Sequence, residues 1–136
     1  MNYSEKEYNF FSKLNFILRM DQNFSLYLCN SNEDSYDQKI KNKILNEYQT
    51  IQWLVFPADD NHLHPFIENN LQTNSKILIV EGLKDNKNLT RVLVNMNLLR
   101  NAFHRFNLPI ILWVNDKVLV QMIRLSPDFE SWCTRI

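Results

Sequence analysis

Several side chains in this sequence carry ligating or reactive groups at separations worth testing. His62 and His64 follow Asp59 and Asp60. Two imidazoles and a carboxylate can hold a transition metal. On a helix these two histidines would point about 200° apart, at roughly 100° per residue. They can share an ion only if the segment is a loop, and Pro65 makes its start irregular. Glu81 closes an apolar run at the edge where α/β sheets place their ligands. It reads as a metal-supporting or catalytic acid, or as an acid that hydrogen-bonds nearby backbone. Asn115 and Asp116 follow another apolar run. They read as a polar sensor pair or as a helix N-cap, which commonly contributes about 1 kcal/mol. Cys29 would need a base and an oxyanion site to act as a nucleophile, and no partner is recognisable. Buried free cysteine is common. The structural reading is preferred in each case, so no catalytic residue, metal ligand or cofactor is expected.

The elements that must position these residues follow from periodicity. Ser4 and Glu7 have capping-box spacing. Phe10, Phe11, Leu14, Ile17 and Leu18 then predict a helix over 4–20. The run 24–29, FSLYLC, predicts a first strand, and 33–48 a helix with Tyr36, Ile40, Ile44, Leu45 and Tyr48 inward. The run 51–56, IQWLVF, predicts a second strand. Asp59 or Asp60 would cap a third helix of about twelve residues. KILIV, 76–80, predicts a third strand, followed by one long helix to about residue 106. The run 110–114 is continuously apolar and reads as a strand buried on both faces. A helix over 116–125 follows, stopped by Pro127. Alternating strands and helices predict right-handed βαβ units and a parallel sheet covered on both faces. The expected fold is therefore α/β, a single three-layer domain over 1–136, with four parallel strands and an N-terminal helix.

Composition narrows the function. Fifteen basic residues balance fifteen acidic ones, so no net positive field invites nucleic acid or an anionic membrane. The lysines at 39, 41 and 43 and the arginines at 91, 100 and 105 are interleaved with acids and Asn and read as solvated faces. His104 reads as a surface residue near a helix C-terminus. The two cysteines form no CxxC, which favours a reduced, cytoplasmic setting. The start of the chain shows no signal peptide, and the apolar runs are too short to span a bilayer. The chain contains a single glycine. Average usage would give about nine, at roughly 7%. Glycine-rich phosphate loops and nucleophile elbows need several.

A pattern of residues resembles a known domain. It comprises Phe24, Leu26, Tyr27, Cys29 and Asn30; Glu81, Gly82 and Leu83; Asn97, Leu98 and Arg100; Pro109, Leu112 and Trp113; and Pro127, Asp128, Phe129 and Trp132. It is similar to a domain group common in cyanobacteria and related to the NTPase domains of STAND-type signalling ATPases, often found in front of tetratricopeptide repeats. The resemblance implies a phosphate-loop-NTPase-like sheet of order 1-4-3-2, with Glu81 at the tip of the Walker B strand and Asn115 at the tip of the sensor strand. The chain departs from the pattern where a phosphate loop would stand. Residues 30–35, NSNEDS, contain no glycine and carry two carboxylates. These would repel a phosphate, and neither the close-approaching backbone nor the lysine is there.

The expected function is a non-catalytic protein-interaction module, a small cytoplasmic adaptor or assembly factor whose partner is another protein. Size and the source of the resemblance bring in a carboxysome shell protein as the kind of partner; no motif carries that. The alternative is a degenerate domain that senses a nucleotide without hydrolysis. Affinity would come from aromatic anchors. In the tail, Phe129 and Trp132 either close the sheet or form a docking patch, which Phe10 and Phe11, with Tyr3 and Tyr8, would extend.

Overall fold

Alternation along the strands decides the layers. In β4, Pro109–Val114, every residue is buried. Ile110, Leu112 and Val114 join one apolar cluster, while Ile111 and Trp113 join the cluster on the opposite face. The same split holds in β3, Ile77–Glu81, with Leu78 and Val80 against Ile77 and Ile79. A strand that feeds two cores is what a continuous apolar run means in a parallel sheet. The computed structural model describes residues 3–21 and 23–136 (of Tyr3, the backbone alone).

The remaining strands are β1, Ser25–Asn30; β2, Ile51–Val55; and β5, Cys133–Arg135. All pairings are parallel and the order is β2-β3-β4-β1-β5. The helices are α1, Tyr3–Met20; α2, Asp34–Glu47; α3, Leu63–Asn70; α4, Leu89–Leu98; α5, Asp116–Leu125; and α6, Pro127–Ser131. Residues from α1 and α2 form one core with the sheet, and residues from α3, α4, α5 and α6 form the other. This is the expected three-layer α/β arrangement. No helix among the described residues is long and apolar enough to cross a membrane.

Among the described residues the sheet has five strands, not the four expected. The first four stand in the expected 1-4-3-2 order, and β5 adds itself to the free side of β1 with Leu26 opposite Cys133 and Leu28 opposite Arg135. Pro127 does end α5, but it also starts α6 as a first-turn proline, a position it suits because its missing N–H needs no partner there. The chain is thereby turned back onto the sheet edge.

Three helix boundaries also differ from expectation. α3 starts at Leu63, and neither aspartate caps it: Asp60 Oδ1 accepts the His62 N–H at 2.9 Å. Asn86 Nδ2 donates to the carbonyls of Pro57 and Asp60 at 3.1 and 2.8 Å, which holds that stretch as a loop. The long helix breaks after Leu98 and continues as a 3-10 helix, Arg100–Phe106. There the Arg100 guanidinium donates to the Asn97 carbonyl at 2.7 Å, taking an acceptor that a continuing α-helix would use. Ser4 lies inside α1, and its would-be capping partner Glu7 turns instead to Lys39 and Lys43 of α2, at 3.0 and 3.2 Å. Those hydrogen bonds hold the Glu7 carboxyl below its ordinary pKa.

Candidate functional site

The connections set the place where a site can form. From β1 the chain enters α2 on one face; from β4 it enters α5 on the other. β1 and β4 are neighbours, so a crevice opens between their C-terminal ends, where open α/β sheets bind ligands. The loop after β1 is clamped to the tip of β4 across this crevice. Ser31 N–H donates to the Val114 carbonyl at 2.8 Å. Asn30 Nδ2 donates to Asp116 Oδ1 at 2.7 Å, and the Asp116 N–H donates to Asn32 Oδ1 at 2.9 Å. Hydrogen bonding with Asn30 and then Asn32 holds the Asp116 carboxyl below its ordinary pKa. Asn115 is the N-cap of α5, its Oδ1 accepting the Val118 N–H at 3.0 Å. The capping reading of this pair therefore holds for Asn115.

A cleft of about 200 Å³ lies over this edge, bordered by the loop after β1, the first turn of α2 and the tips of β3 and β4. Its lining includes Asp34, Asp37, Glu81 and Asp85 against one lysine, Lys84. Lys84 Nζ reaches Asp34 Oδ1 at 2.5 Å, and this bond raises the pKa of the ammonium. Glu81 Oε2 accepts from the Trp53 indole at 2.8 Å, and Lys41 stands 3.7 Å from its other oxygen. The acid at the tip of the third strand is thus held by side chains, where backbone partners were the expectation.

Gly82, the chain's one glycine, fixes this corner. Its φ is +107°, and a Cβ there would meet the Phe56 carbonyl oxygen at 2.5 Å and the Phe56 nitrogen at 2.9 Å. Only glycine allows that backbone conformation and that approach together. The close packing accompanies a hydrogen bond from Phe56 N–H to the Glu81 carbonyl at 2.7 Å, which ties the end of β2 to the tip of β3.

The other candidates are spread through the fold. His64 packs against the rings of Phe103 and Phe106, with centroids 5.4 and 4.9 Å away. His62 stands at the N-cap of α3. Among the described residues no three His, Cys, Asp or Glu side chains stand where they could hold a metal ion. Cys29 is buried, and burial pushes its thiol up to about 12. Cys133 is half-buried beside the Phe129 carbonyl, and its thiol is also pushed up to about 12 by burial.

Of the expected partner anchors, Phe129 is fully buried and meets Phe103 edge to face at 5.1 Å. Phe10 lies edge-on to Trp113 at 5.3 Å, and Phe11 stacks on Tyr48 at 6.1 Å; both are buried. The structure does not bring these three to the surface. Trp132 keeps 37% of its surface exposed and leans on His104 at 5.1 Å. The tail therefore divides between the two readings: Phe129 lids the core, and Trp132 faces outward. His104 is exposed, as expected, between Trp132 and Phe24.

Sequence reasoning found Glu81 and the acids after β1 but missed their convergence with Asp37, Lys84 and Asp85. Asp34 and Asp37 are three apart at a helix start, a spacing that puts two side chains on one side. That was the available signal. No protein-family model and no curated protein matches this chain.

Proposed function

We propose that this protein is a non-catalytic protein-binding module, an adaptor or assembly factor built on a sheet domain without a phosphate loop. The observation that carries the reading is the outer side of α1. Tyr8, Phe16 and Met20 are 73%, 56% and 66% exposed. At roughly 100° per residue they fall within about 120° of one another. They extend over about 18 Å of helix at 1.5 Å per residue. The inner side of the same helix, Phe10, Phe11, Leu14 and Ile17, is core. Interspersed with the polar Glu5, Asn9, Ser12 and Arg19, these three large apolar side chains stand outside the core, and aromatic and Met side chains are the types enriched in protein interfaces. Trp132, on another part of the surface, is a second anchor of the same kind.

The alternative, nucleotide sensing, is weaker on the same edge of the sheet. A cleft of about 200 Å³ with four carboxylates in its lining is small and of the wrong charge for a polyphosphate.

A photo-reactive phenylalanine analogue in place of Phe16, in the native cell, tests the reading. The expected result is one dominant protein adduct, competed by unlabelled protein and not by a Tyr8→Ser, Phe16→Ser, Met20→Ser variant with unchanged melting. No adduct, or equal competition by the folded variant, overturns it.

A further inference from the structure

The cleft at the tips of β1, β3 and β4 combines a charge imbalance with a set of unmet polar groups. Lys84 serves three carboxylates: it is bonded to Asp34, and Asp37 and Asp85 also act on its charge. Glu81 has Trp53 and Lys41. Among the described residues Asp37 and Asp85 make no ion pair of their own.

The second observation is independent of charge. Ser31 is 4% exposed, and its Oγ has no hydrogen-bond partner among the described residues. Trp113 Nε1 and Asp37 Oδ1 are likewise buried and unpartnered. All three residues line the same cleft. A buried polar atom without a partner has lost its hydration with nothing in return. Three such atoms on residues that line one small space mark a place where something else can supply the bonds.

We propose that this cleft receives the cationic head group of an arginine or lysine side chain presented by the protein partner. The inference rests on the reading of the chain as a protein-binding module. A guanidinium offers five N–H donors and a positive charge. Asp37 Oδ1 and Ser31 Oγ, both closed to solvent in this structure, turn to accept from it, and Asp85 gains a second opposite charge beside Lys84. Trp113 Nε1 is itself a donor and takes a water that enters with the head group. About 200 Å³ leaves room for that water, at roughly 30 Å³. The same volume lies below the roughly 300–1,000 Å³ of pockets that hold whole drug-sized ligands. The acids do not converge as metal ligands, so a many-donor cation fits better than a bare ion.

The test is a two-dimensional NMR titration of the full chain with N-acetyl-arginine amide, following the Trp113 indole N–H, assigned with Trp113→Phe. N-acetyl-lysine amide and the neutral isostere N-acetyl-citrulline amide run in parallel. The expected result is a saturable shift of the Trp113 indole in the roughly millimolar range with arginine, a weaker one with lysine and none with citrulline. Asp37→Asn, its fold checked by melting, weakens the arginine response about tenfold, as loss of a charge-assisted hydrogen bond does. An equal response to citrulline, no saturable arginine shift, or an Asp37→Asn protein that is folded and binds as before overturns the proposal. If the Phe16 adduct forms while arginine fails, the cleft assignment alone falls. If arginine binds while no adduct forms, the cation site stands and its delivery by a protein partner falls.

Discussion

Replacing Gly82 with alanine should be among the most damaging single-methyl changes in this protein. Two costs add. A residue with a Cβ at φ +107° gives up about 1–2 kcal/mol to sterics within its own backbone. The new carbon would also stand 2.5 Å from the Phe56 carbonyl oxygen and 2.9 Å from its nitrogen. Those are backbone atoms of the neighbouring connection, so no rotamer change relieves the overlap. Phe56 must move away, and the 2.7 Å bond from its N–H to the Glu81 carbonyl weakens or breaks, at about 1 kcal/mol. Phe56 is itself a buried core residue against Phe66, with ring centroids 5.4 Å apart. Displacing it adds an overpacking cost of about 1–3 kcal/mol. The total is about 3–6 kcal/mol, a large part of the roughly 5–15 kcal/mol that such a domain has in hand. Urea unfolding followed by tryptophan fluorescence measures it, and a fall in midpoint of about 2 M is expected at the usual slopes. A loss below about 1 kcal/mol would show that the β2–β3 corner can relax, and the steric reasoning would be refuted.

The buried hydroxyl of Ser126 has no partner, so Ser126→Ala should raise stability by about 1 kcal/mol; a lower melting temperature would count against that assignment. Glu81→Gln removes the charge from the acceptor of the Trp53 indole and from the partner of Lys41, and should cost about 1 kcal/mol in urea unfolding. The thiols of Cys29 and Cys133, raised by burial from an ordinary 9.0 to about 12, are neutral in the folded state at pH 8. Native labelling by a thiol reagent should therefore be slower than in urea by about a thousandfold, three pKa steps of thiolate fraction. Because the folded values are raised, their contribution to stability is complete below about pH 9 and is lost as pH climbs toward about 12; stability rising over that range would contradict it.

The buried strands were legible because the signal in them is simple. Ile110 to Val114 and Ile77 to Val80 are apolar at consecutive positions, and a two-faced core is the natural place for them. β5 was not legible. Its three residues, Cys133, Thr134 and Arg135, show neither alternation nor length, and only the backbone of β1 makes a strand of them. The boundaries of α3 and α4 were lost to side chains that bond to local backbone, Asp60 in one case and Arg100 in the other. Phe10 and Phe11 carried two readings, as part of the apolar periodicity of the first helix and as the extension of a docking patch. Both are covered because α1 packs on a wide front, against Trp113 in the sheet and Tyr48 beyond the end of α2. The acidic cleft was half visible. Its carboxylates could be seen as hostile to phosphate; their meeting with Ser31 and Trp113 depends on which strands are neighbours.

That neighbour relation has a consequence for how the chain comes into being. Among the described residues β1 precedes the other four strands and pairs with β4 and β5. Its partners lie far downstream: Ser25 faces Pro109, 84 positions later, and Leu26 faces Cys133, 107 positions later. Strands β2 and β3 are close in sequence and can pair early, whereas the segment SLYLCN gains its partners only across much longer separations. Closing loops of that length makes folding slow, and an apolar strand waiting unpaired is what holding chaperones recognise.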